Sequence, residues 1–463
     1  MKKWISLTLS TLLLLSPVTA YANSAQTYFE GISATGTMAE GEQSPIIVEK
    51  ELLTFDLEEF PLDYYREEAE YLAYGGKVTA EYTFHNPADY DIRVKLAFPF
   101  GQTPDYGYYI NPDTDKRVYA PDAEKYDVLV DGEPIESTVR HTLFYRGEEF
   151  ELEKDLPKLI DGYMEDDFWH FDLPVTKYIW EISGIDEEEF QAARLGFWWD
   201  GEETERKLML LDQAGGENKE DKIAVTRWVE NGDIIEVYVF GKPLEGELEW
   251  FSENGAENTP FDYTLTPIST ETATYEEFVF ADWEENSTVL RHDWYNAVTQ
   301  NLKNCEWEFG VMGSFEYGNG LPFDALLRWY EYEITIPAGG TITNTVTAPM
   351  YPDLNVRYEP PIYMYTYLLS PAQTWAAFGK LDIVVNTPYY MTESSGDFSF
   401  VKMEKGYQLS LDGLPEGELE FTLSEAAKPK VPNRHLNALE AGCIAGVVSL
   451  VTIVWLKRKK KKQ

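Results

Sequence analysis

Apolar and polar residues alternate with a period of two over much of this chain. Val78, Ala80, Tyr82 and Phe84 alternate with Thr79, Glu81, Thr83 and His85. After Asn86-Pro87-Ala88-Asp89 the pattern resumes with Ile92, Val94, Leu96 and Phe98. One dry and one wet face on each side of a turn predict a β-hairpin. A second hairpin is predicted where residues 223–229 and 234–240 flank Asn231-Gly232, a pair that tolerates the positive φ angles of tight turns. A third joins residues 330–336 to 341–346 through Pro337-Ala338-Gly339-Gly340, and Leu381, Ile383 and Val385 mark another strand. The period changes at Val289, Leu290, Trp294, Val298 and Leu302, whose three- and four-residue spacing predicts one amphipathic helix over about 288–304.

The segment Glu245-Gly-Glu-Leu-Glu-Trp250 recurs as Glu416-Gly-Glu-Leu-Glu-Phe421, each after a Pro-containing turn. This echo divides the chain into two related units. The expected fold class is mainly β: two antiparallel, immunoglobulin-like β-sandwich domains, with Greek-key-like connections. The first spans 45–256 and carries a small α/β insert at about 141–220. The second, 257–425, includes the linking helix. Within the insert, residues 177–182 read as a strand, 186–193 as a short helical turn and 215–221 as a polar loop. Residues 23–44 read as a flexible leader and 426–438, with two prolines, as a stalk.

Both ends carry targeting patterns. Lys2 and Lys3 precede an apolar run from Trp4 to Leu15, and Ala20-Tyr21-Ala22 supplies the small residues of a signal-peptidase site, so residues 1–22 read as a secretory signal. Residues 439–456 are apolar from Ala441 onward and read as a transmembrane helix. The cations of tail 457–463 place the C-terminus in the cytoplasm and the rest outside. Signal, ectodomain, apolar helix and basic tail together resemble the single-pass surface proteins of Gram-positive bacteria. The stretch Lys428 to His435 lacks the Leu-Pro-x-Thr-Gly motif of sortase substrates, so the resemblance implies a retained membrane anchor rather than covalent wall attachment. The two cysteines, Cys305 outside and Cys443 in the anchor, cannot pair, and stability must come from core burial.

Charge sharpens this picture. The 463 residues hold 81 Asp+Glu against 38 Lys+Arg. Signal and tail take eight of the cations and Glu440 one acid, which leaves the ectodomain at about −50. Such a surface excludes phosphate-backbone binding, so no nucleic-acid partner is expected. With 15% aromatic residues the chain is nonetheless a core former.

Catalytic motifs are missing. There is no His-Glu-x-x-His, no Gly-x-Ser-x-Gly and no phosphate-cradling glycine loop. Glu165-Asp166-Asp167, near Trp169 and His170, is the best carboxylate cluster, against the plainer reading of a solvated acidic loop. Asn111-x-Asp113-x-Asp115 matches the start of a calcium loop. Lys116, however, stands where the tight-turn glycine belongs, and position 12 is Asp122 rather than the ligating Glu, so the calcium-loop pattern is not met; no cofactor is expected, with Ca2+ as the weak alternative.

The aromatic candidates are more specific. Tyr363, Tyr365 and Tyr367 share one strand face, and Ile362, Met364 and Leu368 the other. With the aliphatic face inward, the tyrosines would form a platform for sugar rings or peptides. Trp198-Trp199 is a second candidate, and the alternative for both is that a neighbouring element covers them. The reading is a non-enzymatic, membrane-anchored surface protein that binds an extracellular protein or glycan. A glycan-processing hydrolase with paired carboxylates and an acidic structural spacer are the alternatives.

Overall fold

Alternation in sequence becomes alternation in burial. Val78, Ala80, Tyr82 and Phe84 of the Lys77–His85 strand are buried, and Ile342, Asn344 and Val346 of Thr341–Pro349 follow the same rule. The computed structural model of the protein describes residues 45–432 except 61–73, 75, 101–107, 112–115, 120–125, 146–147, 191, 201–204, 220–221, 256–258, 282, 284–288, 314–325 and 397. It also describes three two-residue strands before them. The structure is mainly β, with several sheets and few helices.

Two nested bodies carry these sheets. In the outer body an eight-stranded sheet runs in the order Glu133–Pro134, Asp127–Val130, Thr341–Pro349, Lys77–His85, Ile47–Asp56, Ala377–Asn386, Gly406–Asp412 and Val401–Met403. A six-stranded sheet is centred on Ile362–Leu368 and Leu419–Ser424, and a four-stranded one on Leu326–Ile336 and Ile92–Pro99. One apolar core, including Phe55, Phe84, Phe98, Tyr330, Ile383 and Phe421, joins all three.

The inner body lies between Leu143 and Leu326. Its five-stranded sheet centres on Pro174–Ser183 and Ile234–Gly241, and its four-stranded sheet on Ala193–Trp199 and Lys222–Trp228. These sheets share a core that includes Leu195, Phe197, Val225 and Val237. The helix Arg291–Asn304 buries Trp294, Val298 and Leu302 in a third cluster, as the four-residue spacing predicts.

Several expectations are corrected here. The chain does not divide at 256. Strands from both expected halves share the eight-stranded sheet, where Ile47–Asp56 pairs in parallel with Ala377–Asn386. Leu143 and Leu326 are cross-strand partners, so the chain leaves for the inner body and returns at one point. The insert therefore reaches far beyond 141–220.

None of the three predicted hairpins closes on itself. Lys77–His85 and Ile92–Pro99 lie in different sheets, as do Lys222–Trp228 and Ile234–Gly241, and Leu326–Ile336 and Thr341–Pro349. Each turn is an arch that carries the chain between sheets, so the two dry faces meet across a core rather than lying side by side. Buried Asn86 staples two arches together: its Nδ2 donates to the carbonyls of Tyr90 (2.8 Å), Ile336 (3.0 Å) and Pro337 (3.1 Å), while its Oδ1 accepts from Ala88 N–H.

The polar loop expected at 215–221 overlaps strand Gln213–Lys219. Its backbone pairs with Lys222–Trp228 despite a composition poor in strand formers. The expected leader contains Tyr28–Phe29, Ala34–Thr35 and Met38–Ala39, which pair with strands of the outer body. At the start of the expected stalk, Lys430 exchanges backbone hydrogen bonds with Glu359. The signal segment 1–22 and the anchor 439–456 with its tail lie outside the described residues, among which no helix is long and apolar enough to cross a membrane.

Candidate functional site

The tyrosine face points the opposite way from expectation. Tyr363, Tyr365 and Tyr367 are at most 1% exposed, while Ile362, Met364 and Leu368 stay half-buried on the outer side. Aromatic rings bury more apolar area than the aliphatic alternatives, and the hydroxyls find internal partners. Tyr365 Oη lies 2.7 Å from Tyr74 Oη, Tyr367 Oη lies 3.3 Å from Tyr82 Oη, and Tyr363 stacks on Tyr389 at 5.2 Å. No ligand platform exists there. Trp199 is also buried, its indole N–H donating to the Phe309 carbonyl (2.9 Å), and Trp198 packs against Phe251 at 5.5 Å.

Two acids of the triplet are spent on local structure, and Asp167 is exposed. Asp166 Oδ1 accepts from the N–H groups of Phe168 and Trp169, and its Oδ2 lies 2.6 Å from Lys303 Nζ. Glu165 accepts from Phe171 N–H. In the calcium-like segment, residues 112–115 and Asp122 lie outside the described residues. Among those described, no three acidic, His or Cys side chains are grouped to hold a metal ion. Cys305 is a half-buried free thiol whose pKa burial raises, and Cys443 lies outside the described residues.

Three buried polar groups were not legible as site candidates. Glu51 is fully buried between Ile47–Asp56 and the tyrosine strand, and Tyr367 Oη donates to its Oε1 (3.3 Å). Burial pushes its carboxyl up to about 7, although hydrogen bonds from Tyr82 and Tyr367 act to lower it. Its position in phase with Leu53 and Phe55 is the sequence signal that marks it as inward. Arg140 and His141, adjacent on the Ser137–Leu143 strand, serve opposite faces of the four-stranded sheet. Arg140 donates from Nε to both oxygens of Asp293 (3.1 and 3.2 Å) and from Nη1 to Glu331 (2.7 Å), which ties helix Arg291–Asn304 to the outer body. Burial raises the Asp293 pKa, and Arg140 opposes that rise. His141 is held down to about 3 by burial and then by the Arg328 and Arg140 cations. These groups organise the core and do not face solvent.

An open cleft of about 570 Å³ lies at the edge of the eight-stranded sheet, where Val401–Met403 ends it. The hairpin of Val401–Met403 and Gly406–Asp412 makes one wall, and residues 56–58 with 386–390 make the other. Hydrogen bonds preset these walls. Asn386 Nδ2 donates to Asp56 Oδ1 (2.8 Å), Tyr389 Oη accepts from Phe60 N–H (2.7 Å), and Tyr407 Oη accepts from Met391 N–H (2.8 Å). Tyr390 is 43% exposed at the rim, with Lys402 Nζ 4.9 Å from its ring centroid, and Met403 is 47% exposed beside it. Lys402 and Lys405 largely balance Asp56, Glu58 and Glu404, so the charges lining the cleft nearly cancel. A cavity this size, with aromatic walls and a few fixed polar groups, suits a small organic ligand. The run Pro388-Tyr389-Tyr390 before a glycine hairpin is its trace in sequence.

Neither a protein-family model nor a curated protein sequence matches the chain. Among solved structures, a protein described as a "putative nutrient binding protein" from Legionella pneumophila subsp. pneumophila str. Philadelphia 1 is 10% identical with a TM-score of 0.34. The comparison covers 86% of this chain and 72% of that one. A likeness at that level carries no argument about this protein.

Proposed function

We propose that this protein is a non-enzymatic, membrane-tethered extracellular binding protein, and that the Tyr390 cleft takes a saccharide or short peptide of the envelope. The observation that carries the reading is the half-exposed Tyr390 ring at the mouth of a cleft whose walls are already fixed by hydrogen bonds. A preset wall lowers the ordering cost of binding, and a tyrosine offers apolar area with a hydrogen-bonding tip. The secretory signal, the apolar run ending at Leu456 and the basic tail support single-pass anchoring, with the ectodomain outside. Each body fits an immunoglobulin-like sandwich in one respect: arches carry the chain between the sheets around its core.

The test is an array of envelope glycans and peptides probed with the full chain in non-ionic detergent. Tyr390→Ala should weaken binding about tenfold or more, in line with truncation of a buried aromatic anchor, whereas Tyr365→Phe should leave it unchanged. Equal binding by wild type and Tyr390→Ala would overturn the assignment. Sugar release from purified wall would move the protein to the hydrolase class.

A further inference from the structure

A second cleft, of about 590 Å³, lies in the inner body, between the single turn at 186–190 and the Asn231-Gly232 arch. We propose that it binds an organic cation, specifically a quaternary ammonium group. This site is independent of the Tyr390 cleft and stands or falls separately.

Trp228 forms one side and is 52% exposed, an unusual position for the largest apolar side chain. Its ring is held in place. Its cross-strand partner Arg194 lays a guanidinium 5.3 Å from the ring centroid and pairs with Glu253, so the indole already serves a cation. Gly255 closes the edge, since a Cβ there would come within 2.6 Å of the indole. Phe190 adds a second aromatic wall.

Three carboxylates share the cleft. Glu187 accepts from Asn231 N–H (2.9 Å) and Asp233 from Glu230 N–H (3.0 Å), each through one oxygen, which fixes both side chains on the two turns. The Glu230 backbone is held by Asp233, while its carboxylate makes no hydrogen bond or ion pair among the described residues. Arg227 lies 3.7 Å from Asp233 and 3.5 Å from Asp212, and Arg194 beside Trp228 is already paired with Glu253, so the two cations offset this charge only in part. The field in the cleft is therefore negative, and an anion is repelled. A metal ion does not suit the arrangement, because these carboxylates are not grouped to ligate one ion. A bulky, weakly hydrated cation does. It stacks on aromatic rings and takes its counter-charge at longer range, without needing direct ligands.

The test is isothermal titration of the full chain in non-ionic detergent with choline chloride, beside the uncharged isostere 3,3-dimethylbutanol. Choline should bind, and the isostere at least about tenfold more weakly, because only the cation gains from the ring quadrupole and the carboxylates. Trp228→Ala should reduce choline affinity about tenfold or more. Glu230→Gln keeps the shape and leaves the turn hydrogen bonds intact, and it should weaken choline without changing the isostere. Raising salt should weaken choline in wild type and less so in Glu230→Gln. Glycerophosphocholine separates two sources of the same group: tighter binding than choline assigns a headgroup, weaker binding a free solute, and either result keeps the site. No heat with choline up to 100-fold above the protein concentration at about 1 mM protein, equal binding of the isostere, or indifference to both substitutions would overturn the proposal.

Discussion

Glu51 and His141 are buried titratable side chains whose preferences oppose each other. Glu51 has its folded pKa raised from 4.5 to about 7, so its contribution is fully present below pH 4.5 and is lost as the pH rises toward 7. His141 has its folded pKa lowered from 6.5 to about 3, so its contribution is present above pH 6.5 and is lost as the pH falls toward 3. The two slopes cancel between about pH 4.5 and 6.5, and wild-type melting temperature should be nearly flat there with respect to these groups. Glu51→Gln should make the melting temperature rise with pH across that window. His141→Gln should make it fall with pH from about 4.5 to 7. Each slope is worth about 1.4 kcal/mol per pH unit, and calorimetric melting against pH reads both. Parallel profiles for wild type and Glu51→Gln would remove the linkage.

Helix Arg291–Asn304 meets the outer body through Arg140 and Asp293, both about 2–3% exposed in their side chains. A buried pair of this kind is costly to break and cheap to replace. Arg140→Met alone should destabilise by about 3–5 kcal/mol, because Asp293 is left as an uncompensated buried charge; Arg140→Met with Asp293→Leu should recover most of that loss. Denaturant melts of the two single variants and the double variant measure the coupling. At this scale the helix was legible in sequence, since its apolar spacing is a local property. The partners of the strands were not. The stretch 78–98 encodes two dry faces and a turn equally well as a hairpin or as an arch, and the choice rests on contacts such as those from Asn86 to the carbonyls of Ile336 and Pro337, about 250 residues away.

The whole molecule is an outer body interrupted at one place. Because Leu143 and Leu326 are cross-strand partners, residues 144–325 can be replaced by a short turn without stretching either strand. With Arg140→Met included to remove the charge that Asp293 satisfied, such a chain should keep a β-type far-ultraviolet spectrum and a cooperative melt. It should retain ligand binding at the Tyr390 cleft and lose choline binding, since every residue of the second cleft leaves with the excised segment. A non-cooperative melt would show that the outer core depends on the inner body. The tyrosine strand shows the limit of sequence at this scale. Its two faces were correctly separated, yet which one is inside depended on Tyr74, Tyr82 and Glu51, brought in from distant strands.

The sequence alone determined the β character, the strand faces around 78–84, 92–98, 341–346 and 381–385, the helical spacing of Trp294, Val298 and Leu302, and the strongly acidic net charge. These follow from periodicity and composition, each readable in a short window or a count. Tertiary structure decided the strand partners, the nesting of one body within the other, the burial of Tyr363, Tyr365 and Tyr367, and the two clefts beside Tyr390 and Trp228. Backbone hydrogen bonds between strands are nearly blind to side chains. Pairing is therefore settled by the collective fit of dry faces across a core, which no short stretch of sequence contains.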